Sequence, residues 1–175
     1  RMVATDGHRL ALVERELPGA FGLKSGVILP RKGLLELKRL IDEAPEAECQ
    51  LGFGENSAVF KKPGLTMVMR LIDGQFPEYQ RVIPKEGAKR VLLHRVRFLD
   101  ALKRISLLAV DKTAAVKLML SENLLRISAT NPDLGEAKDD LEVAYRGPDL
   151  QVGFNARYLL DVLNVLDTDE VSFEL

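Results

Sequence analysis

Thr5-Asp6-Gly7-His8-Arg9-Leu10 sets a carboxylate two residues from an imidazole, the pairing in which an aspartate orients a histidine as a general base. A base also needs a nucleophile or an acid partner within reach. The chain contains no Gly-x-Ser-x-Gly and no Cys/His set, so a hydrolase built on Asp6 and His8 lacks its other half. It also has no glycine-rich phosphate loop and no carboxylate set for a metal pair, so no catalysis, metal or cofactor is expected. A tight hairpin turn explains Asp6 and Gly7 without any chemistry, because an Asp-Gly step favours positive φ. That explanation leaves the cluster of Thr5, His8, Arg9 and Leu10 around the turn unaccounted for.

The elements that must hold such a turn follow from the hydrophobic pattern. Met2 to Thr5 and Leu10 to Val13 flank Asp6-Gly7 as the two strands of the hairpin. Val27-Ile28-Leu29 reads as a strand, and Pro30-Arg31 opens a helix with Leu34, Leu37 and Ile41 on one stripe. Cys49 to Phe53, Ala58 to Lys61 and Leu65 to Ile72 read as short antiparallel strands parted by turn residues. Pro84-Lys85-Glu86-Gly87-Ala88-Lys89 is polar and breaker-rich and marks a boundary. Beyond it the pattern restarts with a helix from Val96 to Ala109. Strands near Ala115 to Leu120, Leu124 to Ala129 and Leu141 to Tyr145 follow, and Leu150 to Phe154 leads into a helix from Ala156 to Leu166. The last residues, Val171 to Leu175, alternate as a strand does. With the abrupt opening at Arg1 this reads as an internal piece of a longer protein.

The helices repeat. Leu34-Leu35-Glu36, Phe98-Leu99-Asp100 and Leu159-Leu160-Asp161 each place two large apolar residues before an acid, at separations of 64 and 61 residues. Residues 27–42 and 152–167 match in register at an offset of 125, close to two repeat lengths. A helix-then-strands module repeated in tandem is the expected architecture, an α+β fold with helices on one face of antiparallel sheets.

The 175 residues are 46% hydrophobic and 29% charged, which demands a buried core, and no run of about 18 apolar residues suggests a membrane span. The N-terminus has no leader pattern, and the single cysteine, Cys49, can form no internal disulfide. A cytoplasmic protein is expected, with Cys49 a small buried residue in its strand. With 25 basic and 26 acidic side chains the net charge is −1, unlike a strongly basic nucleic-acid binder. The distribution matters more than the total. Residues 30–42 hold four basic side chains against two acidic, residues 94–109 hold four against one, and the remainder carries a surplus of six acidic charges. Two readings are open: ordinary solvated helix faces, or equivalent helices turned toward a polyanion.

Several motifs together resemble a known family. Val3 to Ala11, Pro30-Arg31-Lys32-Gly33, Asp73-Gly74 with Phe76-Pro77-Glu78-Tyr79, and Gly153-Phe154-Asn155 with Tyr158 to Leu163 closely resemble the bacterial replicative sliding clamps, the beta subunits of DNA polymerase III. The resemblance runs collinearly along essentially the whole chain. It implies the DNA clamp fold, a ring of two protomers with three similar domains each, and duplex DNA passing through without sequence preference. Residues 1–83 would be the later part of the middle domain, 84–89 a linker, and 90–175 the C-terminal domain without its last strands.

The resemblance also implies sites. Thr5, Gly7, His8, Arg9, Leu10, Pro77, Arg81 and Val82 match positions of a pocket for partner peptides, apolar at Leu10, Pro77 and Val82 and polar at its rim. Replicative polymerase, clamp loader and repair polymerases would share it. Arg31, Lys32, Lys38, Arg39 and Arg104, with Lys103 and Arg157, are the expected DNA-facing side chains, although Lys38 and Lys103 also fit a solvated role. Leu107 and Leu108, near the acidic segment Glu136 to Asp140, fit either the seam of a homodimeric ring or ordinary core packing. The implied role is a non-catalytic processivity factor; the alternative is a non-ring module that uses the same helices on nucleic acid.

Overall fold

The structure, a computed structural model, describes residues 1–16, 23, 26–84, 89–109 and 113–175. The chain divides into two compact units, Arg1–Thr5 with Leu10–Val82, and Ile83–Leu175 with the hairpin tip Asp6–Arg9.

In the first unit β1 (Met2–Thr5) and β2 (Leu10–Val13) pair antiparallel, with Thr5 opposite Leu10. The connection is four residues long, and Gly7 takes φ +86°, the left-handed value for which glycine carries no Cβ penalty. Helix α1 (Arg31–Asp42) follows Pro30, whose fixed φ suits a helix entrance. It covers an antiparallel sheet of β3 (Gln50–Phe53), β4 (Ser57–Lys62) and β5 (Leu65–Arg70). The core is Leu37 and Leu40 of the helix against Ala58, Phe60 and Met69 of the sheet. Helix and sheet approach closely at Gly33, where a Cβ would lie 2.9 Å from Met69 Sδ. Lys62 Nζ donates to the Leu40 carbonyl at 2.8 Å, filling an open acceptor near the end of α1.

The second unit repeats one plan. β6 (Arg90–His94) runs directly into α2 (Arg95–Ser106), then β7 (Ala115–Ser121), β8 (Leu124–Asn131) and β9 (Gly135–Glu142). β10 (Leu150–Asn155) runs into α3 (Ala156–Val165) and then β11 (Glu170–Glu174). The sheets are β10-β7-β8-β9 and β11-β6, all antiparallel. One core unites α2 and α3 with both sheets through Phe98, Leu102 and Leu163 of the helices, Leu118, Leu125 and Ile127 of the larger sheet and Val91 and Leu93 of β6. Phe173 of β11 packs at 6.1 Å from Phe98 and 5.6 Å from Phe154. Asn155 caps α3 by accepting from Arg157 N at 2.9 Å. Arg95, the first residue of α2, donates to the carbonyls of Leu163 at 3.2 Å and Thr168 at 2.7 Å, so a cation sits at the negative end of α3.

The helices begin at Arg31, Arg95 and Ala156, the recurrence the sequence pattern predicts, and the fold is the expected α+β. Several local expectations differ. Val27–Leu29 is not a strand: among the described residues its backbone pairing is a single bond from Ile72 N to Ile28 O, with no ladder. Strand β9 lies earlier than Leu141 to Tyr145, because an edge strand tolerates the charged run at its start. After Glu142 the chain bonds around Asn123 instead, whose N–H donates to Tyr145 O and whose carbonyl accepts from Val143 N. No strand is predicted over Arg90–His94, yet β6 forms there. On α1 the buried positions are Leu37 and Leu40, and Ile41 is exposed. Cys49 is exposed and precedes β3 rather than lying within it. The boundary segment 84–89 falls mostly outside the described residues.

Candidate functional site: hairpin tip and basic helices

The Asp6 side chain builds the hairpin tip. Its Oδ1 accepts from the backbone N–H groups of His8 and Arg9, each at 3.0 Å, and its Oδ2 from Arg9 Nε at 3.0 Å. Those two backbone N–H groups, with the Arg9 guanidinium, hold the Asp6 carboxyl below the usual carboxylate range. The carboxylate is thus occupied in shaping the turn. The His8 ring instead stacks on Tyr158 of α3, with centroids 6.5 Å apart and planes inclined by 19°. Arg9 reaches the same helix: Nη1 donates to Asp161 Oδ2 at 2.6 Å, and Cζ lies 4.6 Å from the Tyr158 ring centroid. Tyr158 and Asp161 stand three residues apart on α3, hence on one face. Neither residue is assigned a role by sequence reasoning, although their i, i+3 spacing is the signal that marks them as a pair.

The other expected pocket residues lie in the first unit. Thr5 and Leu10 face each other across β1 and β2. Pro77, Arg81 and Val82 belong to the segment around a short 3-10 turn at Tyr79–Arg81. Arg1 connects the two, pairing with Glu14 at the far end of the hairpin and donating from Nη1 to the Tyr79 hydroxyl at 3.4 Å. Arg81 pairs with Glu78 at 2.7 Å, and Val82 is 68% exposed, a large aliphatic side chain left uncovered within its unit.

The basic side chains of the helices divide into two groups. Arg39 pairs with Glu36 and Glu43, Lys38 with Asp42, and Arg104 with Asp139 at 2.7 Å. Arg39 holds the Glu36 carboxyl below its usual range. Arg31, Lys32, Lys103 and Arg157 are exposed, and no ion pair involves them among the described residues. At the end of α2, Leu107 is 72% exposed, and Leu108 is partly buried against the core. The adjacent edge strand β9 carries Glu136, Asp139, Asp140 and Glu142. Arg126 grips Asp140 with two bonds of 2.7 Å and lowers its pKa. Among the described residues, no group of three or more His, Cys, Asp or Glu side chains could hold a metal ion, and no helix is long and apolar enough to cross a membrane.

Residues 80–175 match the family described as DNA polymerase III beta subunit, C-terminal domain, and residues 1–78 match its central domain. The chain belongs to the DNA polymerase III beta subunit family. Among beta-subunit relatives, the beta sliding clamp of Pseudomonas aeruginosa is 41% identical over 175 residues, covering 100% of this chain and 47% of that protein. That of Proteus mirabilis is 40% identical over 179 aligned residues, with the same two coverages. The chain therefore spans about half the length of the curated relatives it matches. In three dimensions it is similar to the DNA polymerase sliding clamp from Pseudomonas aeruginosa with ligand, at TM-score 0.94 and 40% identity, over 99% of this chain and 47% of that one. A DnaN sliding clamp from Bartonella birtlesii bound to griselimycin is similar at TM-score 0.93 and 39% identity, over 99% of this chain and 46% of that one.

Proposed function

We propose that the chain works as part of a DNA sliding clamp, a non-catalytic processivity factor whose homodimeric ring encircles duplex DNA and tethers proteins by short peptides. On this reading residues 1–83 and 90–175 serve as parts of the middle and C-terminal domains, joined by a linker at 84–89, in the bacterial cytoplasm on the chromosome. The observation that carries it is the match of both halves to consecutive domains of one clamp family. Exposed basic side chains on recurring helices support it, because lysine and arginine without interleaved aromatics suit phosphate contact and offer no base reading. A topological link needs only weak phosphate contacts, which leaves a ring free to move along any sequence.

The peptide-site reading rests on Thr5, Gly7, His8, Arg9, Leu10, Pro77, Arg81 and Val82, and the seam reading on Leu107, Leu108 and the acidic strand β9. A small contact of this kind is expected to bind at around micromolar strength, so that polymerase, loader and repair polymerases can exchange. The test loads a full-length clamp carrying these residues onto nicked circular DNA and then linearises it. Retention on the circle with release from the linear form is expected. Equal retention on both would favour the non-ring module.

A further inference from the structure

We propose that Asp161 is a positioning residue for the partner-peptide site, acting through Arg9. The inference deepens the peptide-site reading above and rests on it. α1, α2 and α3 each carry an acid after two large apolar residues, and these acids behave differently. Glu36 pairs with Arg39 inside its own helix, whereas Asp161 reaches off α3 to Arg9, 152 residues away in sequence.

Arg9 is held between two carboxylates, Asp6 at 3.0 Å and Asp161 at 2.6 Å, with its guanidinium 4.6 Å from the Tyr158 ring centroid. Asp6 belongs to the same turn as Arg9 and moves with it; Asp161 belongs to a helix packed on the core of the second unit. Asp161 therefore ties the guanidinium to an element packed on a core. The Arg9 and Asp161 side chains are 40% and 62% exposed, and ion pairs this exposed contribute little to folding. What the pair supplies is direction. A planar guanidinium gripped at two edges loses the rotamers it would otherwise sample, and the Tyr158 face below it and the stacked His8 are ordered with it. A wall ordered before binding spares an incoming peptide the cost of ordering it.

The test measures anisotropy of a labelled Gln-Leu-x-Leu-Phe peptide with a full-length clamp carrying these residues. Asp161→Asn is expected to weaken binding about fivefold, the size of a modest coupling between neighbours, with an unchanged melting temperature. In an Arg9→Gln background Asp161→Asn should have no further effect, and Asp161→Glu should restore part of the affinity. The difference should shrink at high salt. Unchanged or tighter binding by Asp161→Asn, or an undiminished effect in the Arg9→Gln background, would overturn the assignment. Leu10→Ala separates the two readings. If Leu10→Ala weakens the peptide and Asp161→Asn does not, positioning by Asp161 fails alone; if Leu10→Ala and Val82→Ala both bind normally, the peptide site and its positioning residue both fall.

Discussion

The Arg9 guanidinium carbon lies 4.6 Å from the centroid of the Tyr158 ring, joining a residue of the hairpin tip to one in the first turn of α3. Cationic, aromatic and acidic groups meet there because two short-range devices converge: the Asp6 turn aims Arg9, and helical spacing aligns Tyr158 with Asp161.

Leu10→Ala or Val82→Ala should each weaken binding of a Gln-Leu-x-Leu-Phe peptide by about tenfold, the effect of removing a large aliphatic side chain from an apolar wall. Titration of the labelled peptide against a full-length clamp checks this. Unchanged affinity in both variants would remove the pocket assignment.

Asp6→Ala should release the backbone N–H groups of His8 and Arg9, and their hydrogen exchange should accelerate by roughly fivefold, the net strength of one such bond. Acid should act in the same direction. Because the folded-state pKa of Asp6 is depressed, its contribution is complete well above the unfolded value of about 3.9 and is lost as pH falls from there through the folded value. Amide exchange or chemical shifts of the tip, followed from about pH 6 downward, report this.

Reversing Arg31 and Lys32 to Glu should lower the salt slope of DNA binding by about one unit for each phosphate that the protein no longer neutralises. Arg39→Glu and Arg104→Glu should have a smaller effect per residue, since carboxylates of Glu36, Glu43 and Asp139 already neutralise them. Affinity measured across a salt series distinguishes these outcomes. Equal effects would mean that DNA displaces the carboxylates.

Arg95→Met should destabilise the second unit by about 1.5–3 kcal/mol, the range for hydrogen bonds from a charged donor. Denaturant unfolding measures it. An effect near zero would mean that water serves the Leu163 and Thr168 carbonyls equally well.

Phe60→Ala removes a fully buried ring from the first unit's core and should cost about 3–5 kcal/mol. Each unit has its own core, so hydrogen-exchange protection should fall across α1 and β3 to β5 while the amides of β7 and β8 keep theirs.

Much of the fold was legible in the sequence because the signals are local. The Asp-Gly step marks the hairpin, Pro30 marks a helix entrance, and the recurring step of two large apolar residues and an acid marks α1, α2 and α3, so the module and its recurrence could be read directly. Periodicity, however, places a helix on its sheet only to within about one residue. Leu40 and Ile41 are both aliphatic, and packing against Phe60 and Met69 decided that Leu40 is the buried one. The charged start of β9 has low strand propensity and forms a strand because β8 pairs with it from Leu124 to Asn131.

The sequence by itself determined the family, the helix-and-sheet module and which residue types cluster at the hairpin and along the helices. Only the tertiary structure decided what each charge is bound to. Arg104 meets Asp139 across 35 residues and Arg9 meets Asp161 across 152, whereas Arg31 and Lys32, of the same type as their paired neighbours, stay exposed. A charge's availability depends on which carboxylate the fold brings within about 3 Å, and no local pattern encodes a partner that distant in the chain.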